Sequence, residues 1–129
     1  MDLSRLSPAP WRNGGTDSFY PDEFCHVLET EDGGSLIAEF GFDKQVPGNQ
    51  ETSAAACDFA ALARNAFDVM MRRGWVVQRY DSAADDDDTD GKWYVDEAYR
   101  TEECLPCWPD PFTALVEADR FVTAREAQG

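Results

Sequence analysis

Residues 81–103 carry ten carboxylates, Asp81, Asp85, Asp86, Asp87, Asp88, Asp90, Asp96, Glu97, Glu102 and Glu103, against two basic side chains, Lys92 and Arg100. Adjacent like charges repel, so a run this dense lowers stability unless it is solvated, binds a metal ion or faces a cationic surface. The material for a core is nonetheless present. Of 129 residues 43% are apolar, with Phe 8, Tyr 4 and Trp 4, which suits one folded domain over residues 1–129.

Over the whole chain 26 acidic residues face 11 basic ones, a formal net charge of −15. Such a surface repels phosphate, so direct binding to nucleic acid or to an anionic membrane is not expected, and the expected partners are cationic proteins. The first residues, Met-Asp-Leu-Ser-Arg-Leu-Ser-Pro, do not form a basic segment followed by an apolar one, and no apolar run approaches the roughly 20 residues a membrane span needs. A cytoplasmic protein is the expectation.

The segment 1–16, with Pro8, Pro10, Trp11, Gly14 and Gly15, reads as an extended, irregular arm pinned by Trp11. Residues 24–29 and 35–42 are rich in strand formers, and the Asp32-Gly33-Gly34 between them predicts a hairpin turn. From Ser53 to Arg73 the spacing is helical. Phe59, Leu62, Ala63, Ala66, Phe67 and Met70 form the predicted apolar face, Thr52 or Ser53 the cap, Arg64–Asp68 and Asp68–Arg72 the ion pairs, and Gly74 the stop. Residues 75–80 and 92–95 predict a second hairpin. Asp110-Pro111 predicts the start of a last helix, with Ala114, Leu115, Ala118, Phe121 and Val122 inward. The expected fold is α+β in the order ββαββα, an antiparallel sheet of two hairpins covered by two helices.

Three readings compete for the acidic segment. It is a solvated loop, a calcium loop or a surface that imitates nucleic-acid phosphate. For calcium, Asp86 to Glu97 has the Asp-x-Asp-x-Asp-Gly, five residues, Glu spacing of an EF-hand, with Asp86, Asp88, Asp90, the Lys92 carbonyl and Glu97 as ligands. Trp93 stands where that loop prefers a compact aliphatic residue, and the stretch that would be the entering helix reads as a strand. Zinc is the other metal considered, with Cys104 and Cys107 as one half-site and Cys25, His26 or Cys57 completing it. In a reducing cytoplasm the four cysteines are otherwise free thiols. Catalysis has little to build on, because His26 is the only histidine and lies in a predicted strand. No cofactor is expected.

Ser7-Pro8-Ala9-Pro10-Trp11, together with Asp58-Phe59-Ala60-Ala61-Leu62-Ala63-Arg64-Asn65-Ala66, resembles small uncharacterised phage and bacterial proteins with an N-terminal Pro-x-Pro-Trp and a Phe-x-Ala-x-Ala-Arg-Asn helix. The resemblance implies a phage setting, in which small acidic proteins without an active site often inhibit host defence. The expectation is therefore a non-enzymatic inhibitor of the anti-CRISPR or anti-restriction type that engages a basic nucleic-acid-binding site of a nuclease or defence complex. Its partner-binding residues would be Asp81, Asp85, Asp86, Asp87, Asp88, Asp90, Glu97, Glu102 and Glu103, with Trp93, Tyr94 and Trp75 as aromatic anchors. The alternative is a metal-binding domain using Asp86, Asp88, Asp90, Lys92 and Glu97, or Cys104 and Cys107.

Overall fold

Among the described residues seven elements make an α+β fold: β1 (Trp11–Tyr20), β2 (Glu23–Thr30), β3 (Leu36–Phe42), α1 (Asn49–Arg73), β4 (Val77–Arg79), β5 (Trp93–Val95) and α2 (Pro111–Gln128). They come from a computed structural model that describes residues 5–20, 23–79, 91–95 and 107–128. The order is βββαββα, and the hairpins form two antiparallel sheets, β1-β2-β3 and β4-β5, rather than one. The chain divides into two compact units, Met1–Asn65 and Ala66–Gly129, with the division inside α1.

The added strand is β1, which lies where an irregular arm was expected. Gly14-Gly15 suggests a break, yet on an edge strand two glycines can instead form a bulge. The pairing of β1 with β2 shifts between Asn13 and Thr16, and Gly15 takes φ 100° there. Asn13 fixes the bulge by accepting the Gly15 amide through Oδ1 at 2.9 Å.

The predicted turn between β2 and β3 is present and has a clear chemistry. Gly33 supplies φ 74°, and Asp32 Oδ1 accepts from the Thr30 hydroxyl at 2.6 Å and the Gly34 amide at 2.8 Å. Those two donors hold the Asp32 carboxyl below the usual aspartate range. Behind the sheet, Leu28, Cys57 and Ala61 are buried, with Trp11, Ile37, Ala38, Phe40 and Ala60 packed around them.

Helix α1 starts at Asn49, four residues before the predicted start. Gly48 at φ 80° is the cap, its carbonyl accepting the Thr52 amide at 3.0 Å and the Thr52 hydroxyl at 2.9 Å. Ser53, expected at the cap, is buried one turn in and donates to the Phe40 carbonyl at 2.6 Å. The far end is as predicted, with the Gly74 amide closing on Met70 O at 2.8 Å and φ 68° at Gly74.

The predicted inward face of α1 is corrected. Phe59 is 59% exposed, and Phe67 and Met70 are exposed too, whereas Ala66 is buried as predicted, Leu62 and Ala63 are half-buried, and Cys57, outside the predicted face, is fully buried. The first unit buries Ser53, Cys57 and Ala61 at four-residue steps, and that stepping continues through Asn65 to Val69 but misses Ala66, which the second unit buries as well. One apolar stripe cannot describe a helix that serves two cores.

In the second unit Ala66, Val69, Val95, Leu115, Ala118 and Val122 form the core. Helix α2 begins as predicted. Asp110 Oδ1 accepts the Thr113 amide and Oδ2 the Thr113 hydroxyl, both at 2.7 Å, with Pro111 as the first helical residue. Four of its five predicted inward residues are buried, and Phe121 is half-buried. Arg73 fastens α1 to α2 through Asp119 at 2.9 Å and Glu126 at 2.8 Å, with Arg72 adding a second contact to Asp119.

Candidate functional site

The predicted site falls on the β4–β5 pair. Its register is Val77 with Val95, Gln78 with Tyr94 and Arg79 with Trp93, so Arg79 and Trp93 stand opposite each other at one end of the described pairing. Asp81, Asp85, Asp86, Asp87, Asp88 and Asp90 belong to the connection between these two residues and, with Glu97, Glu102, Glu103 and Cys104, lie outside the described residues. Both strands are three residues long. The Arg79 guanidinium lies beside Gly91, which turns the chain with φ 77° just before Lys92.

Trp93 is the junction. Its amide donates to Trp108 O at 2.7 Å and its carbonyl accepts the Trp108 amide at 2.9 Å, so β5 is flanked by β4 on one side and by this bridge on the other. Residues 107–110 read as a connector in the sequence, and nothing in their composition reveals the bridge. Of the other proposed anchors, Trp75 packs on the core with the Arg73 guanidinium 4.9 Å over its ring. Tyr94 is half-buried and donates its hydroxyl proton to Gln78 Oε1 at 2.8 Å.

A strand at Val77–Arg79 stands where the entering helix of an EF-hand would run. Of the calcium-loop ligands and the Cys104–Cys107 half-site only Lys92 and Cys107 are described, both half-buried, and the Cys107 thiol is free. Cys25 and Cys57 are buried thiols in the first unit. Burial, reinforced by Glu39 and Asp17, pushes Cys25 up, and burial with Asp58 does the same for Cys57, so neither favours the thiolate a zinc site needs. Among the described residues no three His, Cys, Asp or Glu side chains come together in a metal-binding arrangement.

His26 is buried, 3.2 Å from Ser53 Oγ through Nδ1 and 5.1 Å from the Phe42 ring centroid. A carbonyl can only accept, so the Ser53 proton goes to Phe40 O, and His26 Nδ1 donates to Ser53 Oγ. This polarity is the reverse of a histidine base drawing the proton from a serine. Nearby, an open depression of about 340 Å³ is lined by Thr16, Asp17, Phe24, Phe42, Lys44 and Gln50, with Lys44 Nζ 3.9 Å over the Phe24 ring.

The two motifs behind the phage resemblance touch each other. Asn65 accepts the Trp11 amide at 2.7 Å and donates to the Trp11 carbonyl at 2.9 Å, completing both backbone groups as a neighbouring strand would. Arg64 donates to Ser7 O at 3.2 Å and lies 5.4 Å over the Trp11 ring instead of pairing with Asp68. Asp68 pairs with Arg72 at 3.1 Å, as predicted.

No protein-family model, curated protein or solved structure matches the chain. Among the described residues no helix is long and apolar enough to cross a membrane.

The charge is unevenly distributed. The described residues hold 14 carboxylates and 10 basic side chains, so −4 of the −15 belongs to them and −11 to the rest. Four of those arginines, Arg12, Arg72, Arg73 and Arg120, are engaged in intramolecular ion pairs.

Proposed function

We propose that this chain is a non-enzymatic acidic inhibitor that occupies a basic nucleic-acid-binding site on a partner protein, in the manner of phage proteins directed against host nucleases. The observation that carries the reading is the partition of charge. A body of described residues at −4 is joined to segments that hold −11, and residues 81–103 alone carry −8. A duplex presents one charge per roughly 1.7 Å of its axis. Clustered carboxylates on a folded support can therefore enter a groove lined by Lys and Arg and exclude the nucleic acid. The register of β4 and β5 supports the reading, since it holds both ends of the connection with Asp85 to Asp90 at one point of a sheet.

The test is replacement of Asp85, Asp86, Asp87, Asp88 and Asp90 by Asn in the full chain. Capture of nucleic-acid-binding proteins from a bacterial lysate should weaken, and the salt dependence of the captured interaction should flatten. Retention of the same partners with the same salt dependence would remove the mechanism.

A further inference from the structure

We propose that the outer edge of β3 is a strand-addition site for an extended, cationic segment of a partner protein. This goes beyond the acidic-segment reading and uses only residues of the first unit.

The edge is defined by the alternation of β2, the central strand. Thr30 donates to Ser35 O on the β3 side, while the Glu31 amide donates to Pro10 O on the β1 side. Successive residues of a central strand face opposite neighbours. Phe24, His26 and Leu28 therefore bond to Phe42, Phe40 and Ala38, their register partners. The amides and carbonyls of Glu39 and Gly41 then point away from the sheet. The next outward amide, that of Asp43, is taken by Asn49 Oδ1 at 2.6 Å, which ends the open stretch at Phe42.

The two edges of this sheet are treated differently. β1 is protected by the Gly14-Gly15 bulge and by Asn65, which completes both backbone groups of Trp11. β3 has its own register shift next to Leu36, opposite Leu28 and Glu29, but from Ala38 to Phe42 its pairing is regular, and there it has no proline or lysine and Glu39 is its only charge. Leu36 is 58% exposed on it, and Glu39 and Gly41 are exposed.

Charge selects the occupant. The described residues of the first unit include nine carboxylates and four basic side chains, and Arg12 is engaged with Glu29, Arg64 with Trp11 and Lys44 with Phe24. Glu39 has no ion pair among the described residues. A cationic side chain opposite Glu39 forms a favourable cross-strand pair, and Gly41 leaves room on the same face for the residue after next. A second copy of this chain would bring like charge instead.

The experiment uses the full ¹⁵N-labelled chain and a capped Lys-Val-Lys-Val-Lys-Val-Lys peptide at physiological ionic strength, with a fully N-methylated version and a Glu-for-Lys version as controls. The Glu39 and Gly41 amides should gain about tenfold protection from hydrogen exchange with the first peptide and none with the controls. Glu39→Lys should weaken binding about fivefold to tenfold. Gly41→Pro should abolish the added protection while the Phe40 and His26 amides stay protected. The proposal is overturned if the N-methylated peptide binds equally, if Glu39→Lys binds unchanged, if the response maps to residues 81–103 alone, or if the chain dimerises through this edge.

Discussion

Asn65 shows how much one side chain can hold in place. Its amide does for Trp11 what a further strand would do, across 54 positions of sequence. Asn65→Ala leaves a half-buried backbone amide and carbonyl without partners and should cost about 1–3 kcal/mol, read as a lower urea midpoint; an unchanged midpoint would contradict the clasp. Asp119 makes a second residue-level prediction. Burial raises its pKa, but hydrogen bonds from Arg72 and Arg73 outweigh burial, and the net shift is downward from 3.8. A lowered folded pKa means stability present above the unfolded value and lost as pH falls through the folded one. Stability should therefore decline below about pH 4, and Asp119→Asn should be less stable at neutral pH and less sensitive to acid across that window. Of the thiols, Cys107 should react with Ellman's reagent in the native protein, whereas Cys25 and Cys57 should react only after denaturation, because burial suppresses their thiolates.

At the scale of elements, local chemistry was the legible part. Asp110-Pro111, Asp32-Gly33-Gly34 and Gly74 act on backbone groups within four residues of themselves, and each performs its predicted role. What failed depended on distant partners. Gly14-Gly15 became a bulge because β2 was available to pair with, and Ser53 left the cap because Phe40 offered a carbonyl. The face of α1 was legible only in part: Ala66 is buried as predicted, but Phe59, Phe67 and Met70 are exposed, and burial falls instead on the smaller Cys57, Ala61 and Val69. Substitution separates the exposed apolar positions of α1 from the buried small ones. Met71→Gln, at a position 66% exposed, should move stability by less than about 0.5 kcal/mol, whereas Ala66→Gln must place an amide in a fully buried position and should unfold the chain at ordinary temperature. Equal effects in thermal melts would refute the assignment.

For the whole molecule, sequence counting located the charge but could not show what the remainder does with its own. The arginines of the described body lie largely against partners within it, leaving little cationic surface to offset residues 81–103. On the proposed function, Asp85, Asp86, Asp87, Asp88 and Asp90 act on a partner and add no folding energy, so replacing them by Asn should preserve or raise the melting temperature while weakening capture. The same reading expects no change in melting between chelator and millimolar calcium, since a ligand that binds the folded state raises its stability. A clear upward shift would favour the calcium loop. The anchors of that region, Trp93 and Trp108, hold each other through two backbone bonds, and that bridge was invisible in a stretch dominated by cysteine and proline.

The clasp on Trp11 also bears on vectorial synthesis. As the chain emerges from the ribosome, β1, β2 and β3 can pair once Phe42 is out, but the outer backbone of Trp11 has no partner until Asn65 follows. During that interval the nascent sheet has two open edges, and the completed unit covers the start of one of them, at Trp11, with a residue translated after the whole sheet.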